Sequence, residues 1–224
     1  MKTLARFLLG LALTTHVPAA SAATLQYSWN ACDAGIVNDQ WLGPGRYHQA
    51  LCVSGLAADV RSVHVVIGLG PYIPDAWAFG GCQPATGLSD SPNVPGAGSA
   101  SVPVAVQAIM FPNLTNPQGT LFVEASYDPA SPPNPAFVTG VGFLEFDLST
   151  ATVGPTTPGH CGGADNPFCF GVKEAWAVHA NGAREDLAIA QDHLRWNDAP
   201  NAMGCPGSVP ASRATWGGVK ALYR

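Results

Sequence analysis

The chain has 224 residues, with 10 Lys and Arg against 15 Asp and Glu, a net charge of −5 and only 11% charged residues, where soluble domains run near roughly 25%. Gly and Pro, 25 and 20 residues, supply about a fifth of the chain, against roughly 12% on average. These figures exclude a coiled coil, a basic nucleic-acid binder, a charge-driven disordered tail and a long-helix bundle, and leave an apolar, turn-rich chain that folds mostly as strands.

In chain order, Lys2 and Arg6 precede an apolar run that begins Phe7-Leu8-Leu9-Gly10-Leu11-Ala12-Leu13 and extends to about Val17. Pro18 breaks it, and Ala20-Ser21-Ala22 offers a small-x-small cleavage site. Residues 1–22 therefore read as a secretory signal peptide cut near Ala22. The alternative is a buried helix or membrane anchor, but the run falls short of the ~20 residues a spanning helix needs. No later run is long enough to span. Removing Lys2 and Arg6 from the 10 basic residues leaves eight against 15 acids, a mature charge of −7.

The period that follows is two, the signature of half-buried antiparallel strands. Val63, Val65, Ile67 and Leu69 share one face opposite His64. The valines of Val102–Ala108 share a face, and Pro103 marks that run as an edge or a bulge because it cannot donate to a ladder. Leu121, Val123, Ala125 and Tyr127 alternate with Thr120, Phe122, Glu124 and Ser126; Leu144, Phe146 and Leu148 alternate with Phe143, Glu145 and Asp147. Val172, Trp176 and Val178 share a parity opposite Lys173 and His179. Turn clusters punctuate these runs at Gly43-Pro44-Gly45, Pro92–Gly98, Pro112-Asn113, Asn116–Gly119 and Asp128–Pro135. Asn181-Gly182 is a two-residue hairpin signal. It favours strand for residues 184–196, where helical spacing of Leu187, Ala190 and Leu194 keeps a helix as the alternative. The fold expected is all-β: one antiparallel β-sandwich of eight to ten strands over residues 23–211, with a tail segment at 212–224.

All six cysteines, Cys32, Cys52, Cys82, Cys161, Cys169 and Cys205, follow the signal segment, and an even count in an exported chain argues for disulfides. Local geometry suggests Cys32–Cys52 and Cys161–Cys169, leaving Cys82–Cys205 by elimination. The stretch from His160 to Cys169 contains His, Cys, Asp and Cys, but its thiols are too far apart for a zinc pattern, so a disulfide loop is expected and no metal or other cofactor.

No Gly-x-Ser-x-Gly elbow is present, and the histidines His48, His64, His160, His179 and His193 show no catalytic pattern, so no catalytic residue is assigned. Glu145 and Asp147 lie two apart on a strand face, a spacing of about 6.5–7 Å that falls in the range of glycosidase carboxylate pairs. The plainer explanation is a solvated strand face. Six Trp are spread along the chain; Trp29 and Trp176 read as core. Trp41 beside Gly43-Pro44-Gly45, with Tyr47 close by and Trp77 further on, form the candidate ligand-binding set, because exposed aromatic faces stack on sugar rings.

The last ten residues, Thr215-Trp216-Gly217-Gly218-Val219-Lys220-Ala221-Leu222-Tyr223-Arg224, resemble the ending of a group of uncharacterised secreted bacterial β-sandwich-like proteins that close on Thr-Trp-Gly-x-x-Lys-x-Leu-Tyr-Arg. Ser28-Trp29-Asn30-Ala31-Cys32, Asp75-Ala76-Trp77-Ala78-Phe79 before Cys82, and Pro167-Phe168-Cys169 add to the resemblance. The group brings no function; it implies a shared tail that serves sorting or assembly, against a tail that simply docks Trp216 and Leu222. The function expected is therefore a secreted, disulfide-stabilised, non-enzymatic binding or surface-structural protein. Its expected partner is a glycan or cell-surface polymer, with no nucleic acid and no membrane span. The alternatives are a secreted glycoside hydrolase using a carboxylate pair and a self-assembling subunit of an extracellular structure.

Overall fold

The computed structural model describes residues 22–32, 36–69, 73–78, 82–83, 89–91, 93–98, 103, 105–113, 116–154 and 161–197. The expected signal segment up to residue 21, His160, Cys205 and the 212–224 tail lie outside the described residues. Among the described residues, twelve strands form two sheets. The smaller runs in the order β11 (Ala188–Ile189), β1 (Thr24–Trp29), β3 (Arg46–Ser54), β8 (Val138–Asp147), β5 (Ser89–Ser91). The larger runs β2 (Asn38–Asp39), β12 (His193–Trp196), β9 (Phe168–His179), β4 (Val60–Leu69), β7 (Asn116–Ser126), β6 (Ala105–Asn113), with β10 (Arg184–Asp186) also paired to β9. Pairing is antiparallel except for two short parallel contacts, β1 with β11 and β2 with β12. The all-β sandwich read from the sequence is the fold observed; short flanking strands raise the strand number above ten.

Alternation builds the core. Leu25, Tyr27 and Trp29 on β1, Val63, Val65, Ile67 and Leu69 on β4, and Leu144 and Phe146 on β8 all point inward. Each full burial of such a side chain is worth about 1.5–3 kcal/mol. Gln49 is one of the few buried polar side chains: it lies fully buried and accepts a hydrogen bond from the Tyr27 hydroxyl.

Strand β9 departs from the expected parity. Its ladder to β4 pairs Val66 with Glu174 and then Ile67 with Val172, so Lys173 is an extra residue. A bulge reverses which parity faces the core. Val172, Ala175 and Ala177 point in, while Trp176 and Val178 turn to the outer face. Trp176 is thus half-buried on the outside rather than core. The Lys173 side chain lies across Gly68, where a Cβ would have to push it aside.

Residues 184–196 are strand, not helix. Gly182 sits at φ +82°, Asn181 Oδ1 accepts the Ala183 N–H, and β10 returns along β9. Leu187 then turns into the core, β11 crosses to the smaller sheet, and β12 returns to the larger one. The proline runs move two other boundaries. The strand expected at Val102–Ala108 begins at Ala105, beyond Pro103, and β6 and β7 run through Pro112-Asn113 and Asn116–Gly119, which the sequence marks as turns. Asn113 and Asn116 pair across that hairpin.

The disulfides correct two of the three expected pairings, Cys161–Cys169 and Cys82–Cys205. Cys32–Cys52 is present. Cys161, however, bonds Cys82 rather than Cys169, and Cys169 is itself disulfide-bonded. Closeness in sequence misleads here. Cys169 sits within β9, opposite Arg195, whereas the loop at Cys161 is held against the 3-10 turn Asp75–Trp77 by an Ala76 N–H to Gly162 carbonyl bond of 3.0 Å.

Candidate functional site

Of the three residues expected to bind ligand, the structure separates one from the other two. Trp77 is fully buried. The 3-10 turn and the Cys82–Cys161 bridge drive it into the core, where its ring meets Trp196, Phe168 and Phe146 at 4.8, 5.0 and 5.1 Å. Gln83 locks the same segment, donating to the Ala76 and Asp147 carbonyls at 2.8 and 3.0 Å. Trp77 is a core plug and offers no face to a ligand.

Trp41 and Tyr47 do come together. Their rings stack with centroids 6.0 Å apart and planes 25° apart. Tyr47 is itself buried, edge-on to Trp196 at 4.7 Å, and Trp41 is the half-buried member of the stack, packed against the edge of the core. The loop is fixed from several sides. Tyr47 Oη donates to the Gly43 carbonyl at 2.8 Å and accepts the Leu42 N–H at 3.1 Å, and Asn197 Oδ1 accepts the Trp41 N–H at 2.7 Å. Gly43, at φ +127°, allows the turn. Leu42 is left 86% exposed at the tip. Beside it, β2 brings Asn38 and Asp39 to the same rim.

The carboxylate pair does not assemble an acid and a base. Glu145 is bound by Arg46 at 3.2 Å and by His48 at 3.1 Å, and His48 stacks on Phe143 at 4.6 Å. Asp147 is exposed, and its bonds to Ser149 hold its carboxyl below the usual range. An inverting or retaining pair needs one carboxyl kept protonated; Asp147, lowered by its bonds to Ser149, does not take that part, and Glu145 is engaged by Arg46 and His48.

A further group gathers on the outer face of the larger sheet, and nothing along the chain announces it. Ser62 Oγ lies 2.8 Å from His64 Nε2, and Glu124 stands 4.0 Å from His64 Nδ1. The order is nucleophile, base, acid, but the acid arm exceeds hydrogen-bond length. Strand β4 is laddered to β7 on one side and β9 on the other, so its N–H groups are engaged and do not form an oxyanion hole. His64 instead stacks on Trp176 at 5.1 Å and 10°, and burial, with Arg184 adding to it, pushes its pKa down. The Arg184 guanidinium lies 4.3 Å from the centre of the Trp176 ring, and Phe122 completes the group 6.1 Å from Trp176. Only the bulge at Lys173 brings Trp176 here, and no periodicity in the sequence encodes it.

Among the described residues, no cluster of three or more His, Cys, Asp or Glu is arranged to hold a metal, and no helix is long and apolar enough to cross a membrane.

The fold and rim define a disulfide-braced β-sandwich with a rigid aromatic loop at one end. No protein-family model matches the chain, and no curated protein does. Solved structures similar in outline include a cohesin module from a family 33 glycoside hydrolase of Clostridium perfringens, at 12% identity and TM-score 0.43, covering 79% of this chain and 97% of that one. A type II cohesin domain from the cellulosome of Acetivibrio cellulolyticus gives 11% identity and TM-score 0.42, covering 81% and 99%. A non-cellulosomal cohesin from Archaeoglobus fulgidus gives 9% and 0.39, covering 82% and 98%. At that level of similarity they carry no argument about what this chain does.

Proposed function

We propose that this chain is an exported, extracellular binding protein that performs no chemistry of its own, and that it contacts a glycan or cell-surface polymer through the Trp41–Leu42 rim. The observation that carries the reading is the half-buried Trp41 ring, stacked on a buried Tyr47 and mounted beside the exposed Leu42 on a loop tied at Leu42, Gly43 and Asn197. A contact surface fixed before binding loses little conformational entropy when it engages. A Trp face takes the C–H face of a sugar, and Asp39, two residues before Trp41, brings a carboxylate for hydroxyls. Export by the N-terminal signal segment accords with the bridges Cys32–Cys52 and Cys82–Cys161, since disulfides persist in oxidising compartments.

The test is binding of the secreted protein to an array of glycans and isolated cell-wall polysaccharides, beside Trp41→Ala. Binding that falls at least tenfold in the variant, with the melting temperature preserved, supports the reading. Absence of binding to every glycan removes the carbohydrate partner, and binding that Trp41→Ala leaves intact removes the rim.

A further inference from the structure

The four sheet edges are not alike. Strand β11 ends the smaller sheet with two residues and β5 ends it with three, while β2 ends the larger sheet with two, one of them Asp39. Short or charged edges are how sandwich proteins stop strangers from pairing with them. Strand β6 has neither protection. It runs for nine residues, Ala105-Val106-Gln107-Ala108-Ile109-Met110-Phe111-Pro112-Asn113, without a single Lys, Arg, Asp or Glu. Among the described residues it pairs only with β7, so one whole row of its N–H and C=O groups points away from the sheet.

We propose that β6 is a self-association edge, and that a second copy of this chain adds its own β6 antiparallel to it, making one sheet continuous across a two-fold axis. The absence of charge selects this occupant. An acidic chain, of net charge −5 in full and −7 once Lys2 and Arg6 are removed, meets its copy here on a strand that brings no like charges to the seam. A two-fold antiparallel seam is also self-complementary, as a closed dimer requires.

Proline fixes the register. Pro112 has no N–H and sits at the register shift between Phe111 and Asn113. Pairing therefore covers Ala105–Phe111, with Ala108 at the centre. Ala108 then faces its own counterpart, and Gln107 of one copy stands opposite Ile109 of the other. This surface is separate from the Trp41 rim, so either proposal can fail alone.

The experiment measures the mass of the full secreted protein by light scattering after size exclusion, across rising concentration. Wild type is expected as a dimer. Gln107→Lys with Ile109→Lys opposes two pairs of positive charges in this register and is expected to give folded monomer, judged by an unchanged far-ultraviolet spectrum. Gln107→Lys with Ile109→Glu opposes Lys to Glu and is expected to restore the dimer, which a merely misfolded strand does not do. A wild type that is monomeric at every concentration overturns the proposal. So do two double variants of equal mass, or a monomer that dimerises only when residues 212–224 are deleted, which gives the edge to the tail.

Discussion

The two outer faces of the sandwich solve the same problem in opposite ways. On the smaller sheet, Ala50 and Cys52 point away from the core yet have no exposed surface. The loop at 93–98 lies over them. Val94 packs on Ala50 and Cys52, with Ala97, Val138 and Phe143 around it. The Cys32–Cys52 bridge, a Cys32 N–H to Pro95 carbonyl bond of 2.8 Å and a Gly98 N–H to Val138 carbonyl bond of 2.8 Å hold the cover down. Gly96 permits the close approach: it sits at φ +79°, and a Cβ there would come within 3.3 Å of the Cys32 nitrogen. On the larger sheet, Phe122, His64 and Trp176 also point outward, but no described loop covers them; they cover one another, and Arg184 lies over Trp176. The first face is a second small core closed by a covalent link. The second is a surface in which each aromatic edge is shielded by a neighbour, so it contributes less to stability.

Opening the bridge is the largest way to break that difference. Cys32→Ser with Cys52→Ser frees a loop with a sequence separation of 20, and in the chain-entropy account the loss is about 3 kcal/mol. Urea unfolding measures it, and hydrogen exchange should show faster loss of protection at Gly98 than on β4. A stability within error of wild type would mean the cover does not depend on the bridge. Arg184→Gln acts on the other face and should cost only about 0.5–1 kcal/mol, since the guanidinium is exposed and its pairs with Glu174 and Asp186 are screened.

The smallest effect is a pH dependence at the end of the larger sheet. His179 lies 3.0 Å from both Asp59 and Glu185. The hydrogen bond to Asp59, above all, raises the His179 pKa from its ordinary 6.5, and the same bond lowers the Asp59 pKa from 3.8. The histidine's contribution is therefore complete below 6.5 and fades as pH rises through the raised value. The aspartate's is present above 3.8 and fades as pH falls through the lowered one. The melting temperature of His179→Gln should fall below wild type most at about pH 5–6 and match it by about pH 9. A difference that grows with pH would contradict the clamp.

Much of this was legible along the chain. The inward sets on β4, β7 and β8 follow from a period of two, and the Asn181-Gly182 hairpin followed from its turn chemistry. The stacked pair Trp41 and Tyr47 was legible because a Gly-Pro-Gly turn folds near neighbours together. Trp77 and Trp176 were misplaced for different reasons. Trp77 lies in a segment without periodicity, and it turns inward where the Cys82–Cys161 bridge ties that segment down. Trp176 follows the bulge at Lys173, and a single inserted residue reverses every later position. The true partner of Cys161 was hidden because its closeness to Cys82 arises from folding across a separation of 79 residues.

The sequence by itself determined the class of fold: low charge, abundant Gly and Pro and two-residue alternation are local properties, and each strand carries its own record of which face is wet. Only the tertiary structure decided which outer face is covered and which is open, and which edge is long. Those outcomes depend on distant segments meeting, and no run of neighbouring residues records such a meeting.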